Sequence, residues 1–140
     1  MPTPTIIPKA FYERQAGSLP GLLGIEFDEI VEGAITMSME VQGRHMSPNG
    51  FLHAASVVAL ADSAAGYGCE AHLPHGAIGF TTIELKTNFL GTAKSGRIVA
   101  KASLMHGGRT TQVWDTLIRD AAGKTIALFR CTQAVLWPRS

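Results

Sequence analysis

A chain of 140 residues that is 46% hydrophobic has the length of one domain and enough apolar material for one core. Its 12 Lys and Arg against 11 Asp and Glu leave a net charge of +1 with no basic run, so the positive field of a nucleic-acid or anionic-membrane binder is missing, while a small anion with a polar tail remains a possible partner. No apolar run approaches the roughly 18 residues of a membrane span, and "MPTPTIIPKAFYERQ" lacks a basic segment followed by an apolar core, so the expectation is a soluble, cytoplasmic chain without a leader.

In chain order, residues 8–23 ("PKAFYERQAGSLPGLL") predict one or two short helices broken at Gly17 and Pro20. They lead into an extended segment near Ile25 to Ile30. Gly33 ends it, and "AITMSMEV" then alternates, with Ile35, Met37, Met39 and Val41 on one face and Thr36, Ser38 and Glu40 on the other, the period of a half-buried strand. "RHMSPNG" reads as a loop. From about Leu52 to Ala71 the chain is rich in Ala, Val, Leu and Ser, which predicts a long helix that is apolar on every side and must be surrounded. "HLPH", His72 to His75, reads as a solvated loop rather than a metal site, because Pro74 breaks the helix and no further ligand pair is evident.

The rest is strand-like: "GFTTIELKTNFLG", "GRIVAKASLM", "TQVWDTLIRD" and "KTIALFRCTQAVLW", with turn chemistry at Gly91 to Gly96, at Gly107-Gly108 and at "DAAGK". Hairpins at this spacing predict an antiparallel sheet. The fold class is therefore α+β, an antiparallel sheet of five or six strands wrapped around one long central helix. A single sheet of this kind leaves an edge open, which pairing with a second copy would cover. No repeat, low-complexity tract or linker divides the chain, so residues 1–140 form one expected domain with a helical lead-in over 1–24. Cys69 and Cys131 lack metal-ligand spacing and read as ordinary buried thiols, suited to a reducing cytosol.

The conspicuous residue is Asp62, a lone carboxylate inside the apolar run "NGFLHAASVVALADSAAG". A helix interior offers it no free amide, which argues against a merely structural carboxylate satisfied by neighbours such as Ser63. His53 lies nine residues earlier; at about 100° per residue the two point to opposite sides of the helix, about 13 Å apart along its axis. They cannot meet in one subunit. In a two-fold dimer with antiparallel helices, the N-terminal end of one helix meets the middle of the other and forms two equivalent composite sites.

The segment "GFLHAASVVALAD" resembles the signature of the hotdog-fold acyl-CoA thioesterases of the phenylacetate-degradation (PaaI-like) branch: glycine, histidine, two glycines, and an acid nine positions after the histidine. Gly50, His53 and Asp62 hold those positions. "TTIELKTNFLGTAKSG" is similar to the next strand and turn, and "GRTTQVWDTLIRDAAGKTIALFRCTQ" to the closing strands, so the resemblance runs from about residue 20 onward. It implies a hotdog fold, hydrolysis of an acyl-CoA thioester, a composite site in a homodimer, pairing of dimers into a tetramer, and no cofactor or metal beyond the coenzyme A of the substrate.

On that resemblance the partner's Asp62 activates a water or attacks the carbonyl directly. The backbone N–H of Ala54, in the first helical turn, polarises the thioester carbonyl. His53 orients the loop or the thioester, and Thr82 stands where the family places a hydroxyl beside the carboxylate. Two positions depart from the pattern. The glycine pair is here Ala54-Ala55, which narrows the thioester slot but keeps the N–H, and the family's amide falls on Ser47, with Asn49 two residues later as the favoured contact. Asn49-Gly50 is also a turn dipeptide in its own right.

Arg109, Lys94 and Arg97 are the candidates for the nucleotide phosphates. Phe51, Leu60, Phe80 and Phe89 are candidates to line an aromatic or medium-chain acyl pocket. Two rival functions stay open: a non-catalytic acyl-CoA or acyl-carrier binding module, and a hotdog acyl dehydratase using His53 and Asp62.

Overall fold

The computed structural model describes residues 6–140, so the first five residues of the lead-in lie outside the described residues. Two short helices follow, α1 (Lys9–Gln15) and α2 (Leu19–Leu22), and Gly17, with φ +77°, separates them. Pro20 does not break a helix as expected. It sits in the first turn of α2, where a missing N–H costs nothing.

Six strands form one antiparallel sheet: β1 (Glu26–Val31), β2 (Ala34–Glu40), β3 (Gly79–Phe89), β4 (Arg97–Gly107), β5 (Thr111–Arg119) and β6 (Thr125–Leu136), in the order β1-β2-β4-β5-β6-β3. The alternation in β2 is realised, with Ile35, Met37 and Met39 at most 1% exposed. Ser38, expected on the open face, is buried as well, and its hydroxyl accepts a hydrogen bond from Arg97 at 3.0 Å. The segment from Gly91 to Gly96 is not a hairpin. β3 pairs with β6, the last strand, and the chain leaves that edge to start β4 beside β2. Local turn chemistry reports where a strand stops, whereas its partner is set by long-range packing around the helix.

The helix α3 (Ala54–Ala71) lies across the sheet. His53 caps its start, Nδ1 accepting from the Ala55 N–H at 2.9 Å. At its end His72 is half-buried and built into the fold, correcting the solvated-loop expectation for that residue. Its Nδ1 bonds the Gly68 carbonyl at 2.7 Å, its Nε2 accepts from the Gly33 N–H at 2.7 Å, and the ring packs edge-on to Trp114. Only His75 of that pair is exposed.

One face of α3 is buried: Ser56, Val57, Leu60, Ala61, Ala64, Ala65, Gly68 and Cys69, meeting Ile35, Met37, Ile98, Ala100, Trp114 and Phe129 from the sheet. The opposite face, with Ala59, Asp62, Ser63, Gly66, Tyr67 and Glu70, is only half-buried, so the helix is not enclosed on every side. Small residues on this helix read as uniformly apolar because Ala and Gly carry little polarity signal; the sheet, present on one side only, decides which of them are covered.

Gly68 lets helix and sheet approach closely, since a Cβ there would stand 2.9 Å from two ring carbons of Trp114 and 3.1 Å from a methyl of Ile35. Trp114 cannot easily retreat: it is fully buried and its Nε1 donates to Gln112 at 2.8 Å. Gly68→Ala therefore sets an overpacking cost of about 1–3 kcal/mol against a helix-propensity gain of about 1 kcal/mol. The expected result is a lower urea midpoint than wild type; an equal or higher midpoint would show that the ring yields.

β1 and β3 are the sheet edges. β3 is the more apolar of the two, leaving Ile83 62%, Leu85 41% and Phe89 48% exposed, and an open apolar edge of eleven residues is a template for a further strand.

Candidate active site

The loop before α3 is held from inside by His45, a fully buried residue that the sequence reading passed over within "RHMSPNG". Its Nδ1 accepts from the Gln42 N–H at 3.0 Å and its Nε2 donates to the Leu23 carbonyl at 2.7 Å. Its own carbonyl accepts from the His53 N–H at 3.0 Å and the Ser56 hydroxyl at 2.8 Å. The one available signal was the Gln-x-x-His spacing, which lets both side chains cap a single tight turn, here the 3-10 turn Gly43–His45.

Ser47 and Asn49 share the next turn. The Ser47 hydroxyl donates to the Asn49 side-chain oxygen, which also accepts from the Phe51 N–H at 3.2 Å, leaving the Asn49 NH₂ as the outward donor. Gly50, with φ +86° and open space where a Cβ would stand, is required for its conformation rather than for room. Next to it, His53 uses Nδ1 as an acceptor, so a neutral ring carries its proton on the exposed Nε2. Ala54 opens the helix and is exposed, and its N–H has no hydrogen-bond partner among the described residues.

Asp62 lies on the half-buried face of α3, in a cleft of about 230 Å³ whose walls are Pro20 of α2, Tyr67 and Glu70 of α3, and Phe80 and Thr82 of β3. Its Oδ1 is buried and has no hydrogen-bond partner among the described residues. Burial pushes the carboxyl above its ordinary value of 3.8. Across the cleft the Thr82 hydroxyl donates to the Gln133 side-chain oxygen at 2.7 Å, so its lone pairs are left to accept. Gln133 is fully buried, and sequence reasoning missed it because a polar residue in an alternating strand is assigned to solvent by default. A bulge in β3 at Ile83 interrupts the ladder beside Thr82.

The structure thus gathers Asp62 and Thr82 in one cleft, and Ser47, Asn49, Gly50, His53 and Ala54 at the N-terminal end of α3. Within one chain the two groups are separated by about half the helix, about 13 Å of axial rise.

Of the acyl-pocket candidates, Phe80 lines the Asp62 cleft, Phe51 and Phe89 are exposed, and Leu60 belongs to the core at 0% exposure. Among the cations, Arg97 is engaged elsewhere, paired with Glu26 at 3.3 Å and Glu40 at 3.6 Å across β1, β2 and β4. Lys94 stands over the Phe51 ring at 5.1 Å, and Arg109 stacks on Trp137 at 4.3 Å. The Gly108 amide is not free for an anion, because it donates to the Thr111 carbonyl at 2.9 Å. Burial pushes the thiols of Cys69 and Cys131 up to about 12, which keeps both protonated and unreactive at neutral pH.

A larger hollow of about 530 Å³ lies on the outer face of the sheet among Thr36, Lys101, Asp115 and Arg119. Its carboxylate, Asp115, is paired with Arg130 at 2.5 and 2.7 Å, whereas the Asp62 cleft holds the unpaired one.

The family model of the Thioesterase superfamily matches residues 49–127. The 1,4-dihydroxy-2-naphthoyl-CoA hydrolase of Listeria monocytogenes is 34% identical over 113 residues, covering 81% of this chain and 91% of that protein. Among solved structures, a mutant of the thioesterase PA1618 from Pseudomonas aeruginosa superposes with a TM-score of 0.88 at 32% identity, covering 94% of this chain and 95% of that one. The PaaI protein of the Escherichia coli phenylacetic acid degradation operon superposes with a TM-score of 0.81 at 27% identity, covering 91% and 88%. With a six-stranded antiparallel sheet laid against one long helix and the signature residues at the start and middle of that helix, the chain belongs to the Thioesterase superfamily and is a hotdog-fold thioester hydrolase of the PaaI-like branch.

Proposed function

We propose that the protein hydrolyses an acyl-CoA thioester to the free acid and coenzyme A at a site shared between two subunits. The observation that carries this reading is the buried, unpartnered Oδ1 of Asp62 on the face of α3 that the sheet leaves uncovered. A second copy, joined through the open β3 edge with its helix antiparallel, supplies what the cleft lacks. The Ala54 N–H of the partner subunit, with the helix dipole behind it, then faces the thioester carbonyl. That the Listeria relative is named for a CoA thioester supports the same leaving group here.

In the reaction the Asp62 carboxylate takes a proton from water while the water oxygen bonds to the carbonyl carbon. Thr82, whose own proton is committed to Gln133, accepts the second water hydrogen and aims the lone pair. This hydrogen-bond direction favours general-base activation of water over direct attack by the carboxylate. The oxyanion that forms is held by the Ala54 N–H, and its collapse breaks the C–S bond, the thiolate recovering the proton from Asp62. His53 caps the helix that presents this N–H, and the Asn49 NH₂ with Ser47 borders the substrate entrance. Lys94 and Arg109 are the remaining candidates for the nucleotide phosphates.

Thiol release from a panel of aryl-acetyl, benzoyl and short- to long-chain acyl-CoAs tests the activity. Release from at least one member is expected. Binding without release would point to a binding module, and enoyl-CoA formed from a 3-hydroxyacyl-CoA without free thiol to a dehydratase. If Arg109 contacts the nucleotide, Arg109→Ala raises KM for acyl-CoA and leaves hydrolysis of the matching N-acetylcysteamine thioester nearly unaltered, whereas an equal loss on both substrates would refute the assignment.

A further inference from the structure

The helix α3 carries two serines, and only one of them has a structural role. Ser56 is buried and donates to the His45 carbonyl at 2.8 Å. Ser63 is half-buried, and its hydroxyl makes no hydrogen bond among the described residues. It does not turn back onto the Ala59 carbonyl one turn earlier, the usual resting place of a helical hydroxyl. Nor does it donate to the Oδ1 of its neighbour Asp62, which is itself without a partner. It lines the Asp62 cleft instead. Adjacent helix residues diverge by about 100° from Cβ atoms about 5 Å apart, so Asp62 and Ser63 present two polar groups to the cleft from different directions.

In the reaction proposed above, two of the four substituents of the tetrahedral carbon are already held. The oxygen that came from water lies against Asp62 and Thr82, and the oxyanion lies against the N–H of the partner subunit's Ala54. The acyl chain joins through carbon and takes no donor. That leaves the sulfur, which gains negative charge as the C–S bond breaks. From a carboxylate to a hydroxyl, by way of the water oxygen, the carbon and the sulfur, the span is about 8 Å, two hydrogen bonds of about 3 Å and the bonds between them. Side chains that start about 5 Å apart and diverge match that span.

We propose that Ser63 is a catalytic residue whose hydroxyl donates a hydrogen bond to the departing sulfur. The Ser63 O–H bond stays intact throughout. The electron pair of the C–S bond goes to sulfur, the oxyanion reforms the carbonyl, and the thiolate takes the proton that Asp62 removed from water. The inference rests on the reading of the Asp62 cleft as the hydrolytic site.

The test measures kcat of wild type, Ser63→Ala and Ser63→Thr on a CoA thioester that wild type hydrolyses and on the thiophenyl ester of the same acid, alongside thermal melting. Thiophenolate spreads its charge into the ring and leaves with little help. Ser63→Ala should lose about 10-fold on the CoA thioester, the scale of one hydrogen bond to a charged atom, and less than about 2-fold on the thiophenyl ester. Ser63→Thr keeps the hydroxyl and should recover most of the rate. Alanine favours a helix more than serine does, so the melting temperature of Ser63→Ala should not fall. An undiminished kcat in Ser63→Ala overturns the proposal. So does an equal loss on both esters, which would take the hydroxyl away from the leaving group, and so does a loss that Ser63→Thr shares in full. Failure of the underlying reading is distinguishable: Asp62→Asn would then match wild type on the CoA thioester, whereas failure of this proposal alone leaves Asp62→Asn impaired and Ser63→Ala active.

Discussion

Replacing Asp62 with Asn is expected to lower kcat on every acyl-CoA that the protein turns over by about 10²-fold or more, with the fold and the oligomeric state unchanged from wild type. Asparagine keeps the size and one oxygen of the side chain, so the cleft and the packing of α3 are retained while the proton acceptor is lost. A rate equal to wild type in a thiol-release assay would remove Asp62 from the chemistry. The same variant carries a second expectation of opposite sign. Burial raises the Asp62 pKa in the folded state above its unfolded value, so the folded protein binds this proton more tightly. The contribution of the group to stability is therefore present in full below the ordinary carboxylate value of 3.8 and is lost as pH rises through the raised folded value. At neutral pH wild type holds a poorly solvated charge and Asp62→Asn does not, so the variant should melt higher at pH 7 and lose that advantage as the pH falls toward 3.8. In wild type, kcat/KM should decline on acidification through a pKa above that of a free aspartate. Loss of activity joined to gain of stability is the signature of a residue retained for chemistry. A lower melting temperature for the variant at pH 7 would instead mark Asp62 as structural.

Replacing Ala54 with Pro is expected to cost about 10²–10³ in kcat, the range for removing one oxyanion donor, with little change in fold. Proline at the first position of a helix is well tolerated, because that N–H has no intrahelical acceptor and the ring presets the helical φ. The residue before a proline must be extended, and His53 already is, at φ −65° and ψ 133°. The substitution therefore replaces the N–H hydrogen with a ring carbon at a site where the backbone conformation needs no adjustment. Ala54→Gly is the control: it keeps the N–H and should keep most of the activity. Ala54→Pro with a native melting temperature and full kcat would place the oxyanion elsewhere. Preserved kcat with raised KM would assign the N–H to ground-state binding alone.

Much of the fold could be read from local pattern. The two-residue alternation of Ile35, Met37 and Met39 and the runs closing with Gly107-Gly108 and "DAAGK" mark strands and hairpins, because side-chain period and turn chemistry are properties of neighbouring residues. The unpaired acid in an apolar helix was legible for a similar reason: Asp62 breaks a pattern, and its Oδ1 is buried without a partner among the described residues. Composition and signature together determined the α+β architecture and the family.

Tertiary structure decided the rest. That β3 pairs with β6 rather than with β4 depends on contacts some fifty residues apart in the chain, which no turn encodes. That Arg97 is spent on Glu26 and Glu40, and that Leu60 faces the core rather than the cleft, depends on which side of the strand or helix the sheet covers. His45 and Gln133 are polar residues that a pattern sends to solvent; the fold buries both and satisfies them with particular partners, one to hold the loop before α3 and the other to hold the hydroxyl of Thr82. The physical reason is common to all of these. Periodicity and propensity are set by a residue and its neighbours, whereas a hydrogen bond, an ion pair or a cleft such as the one around Asp62 exists only where distant segments are brought together.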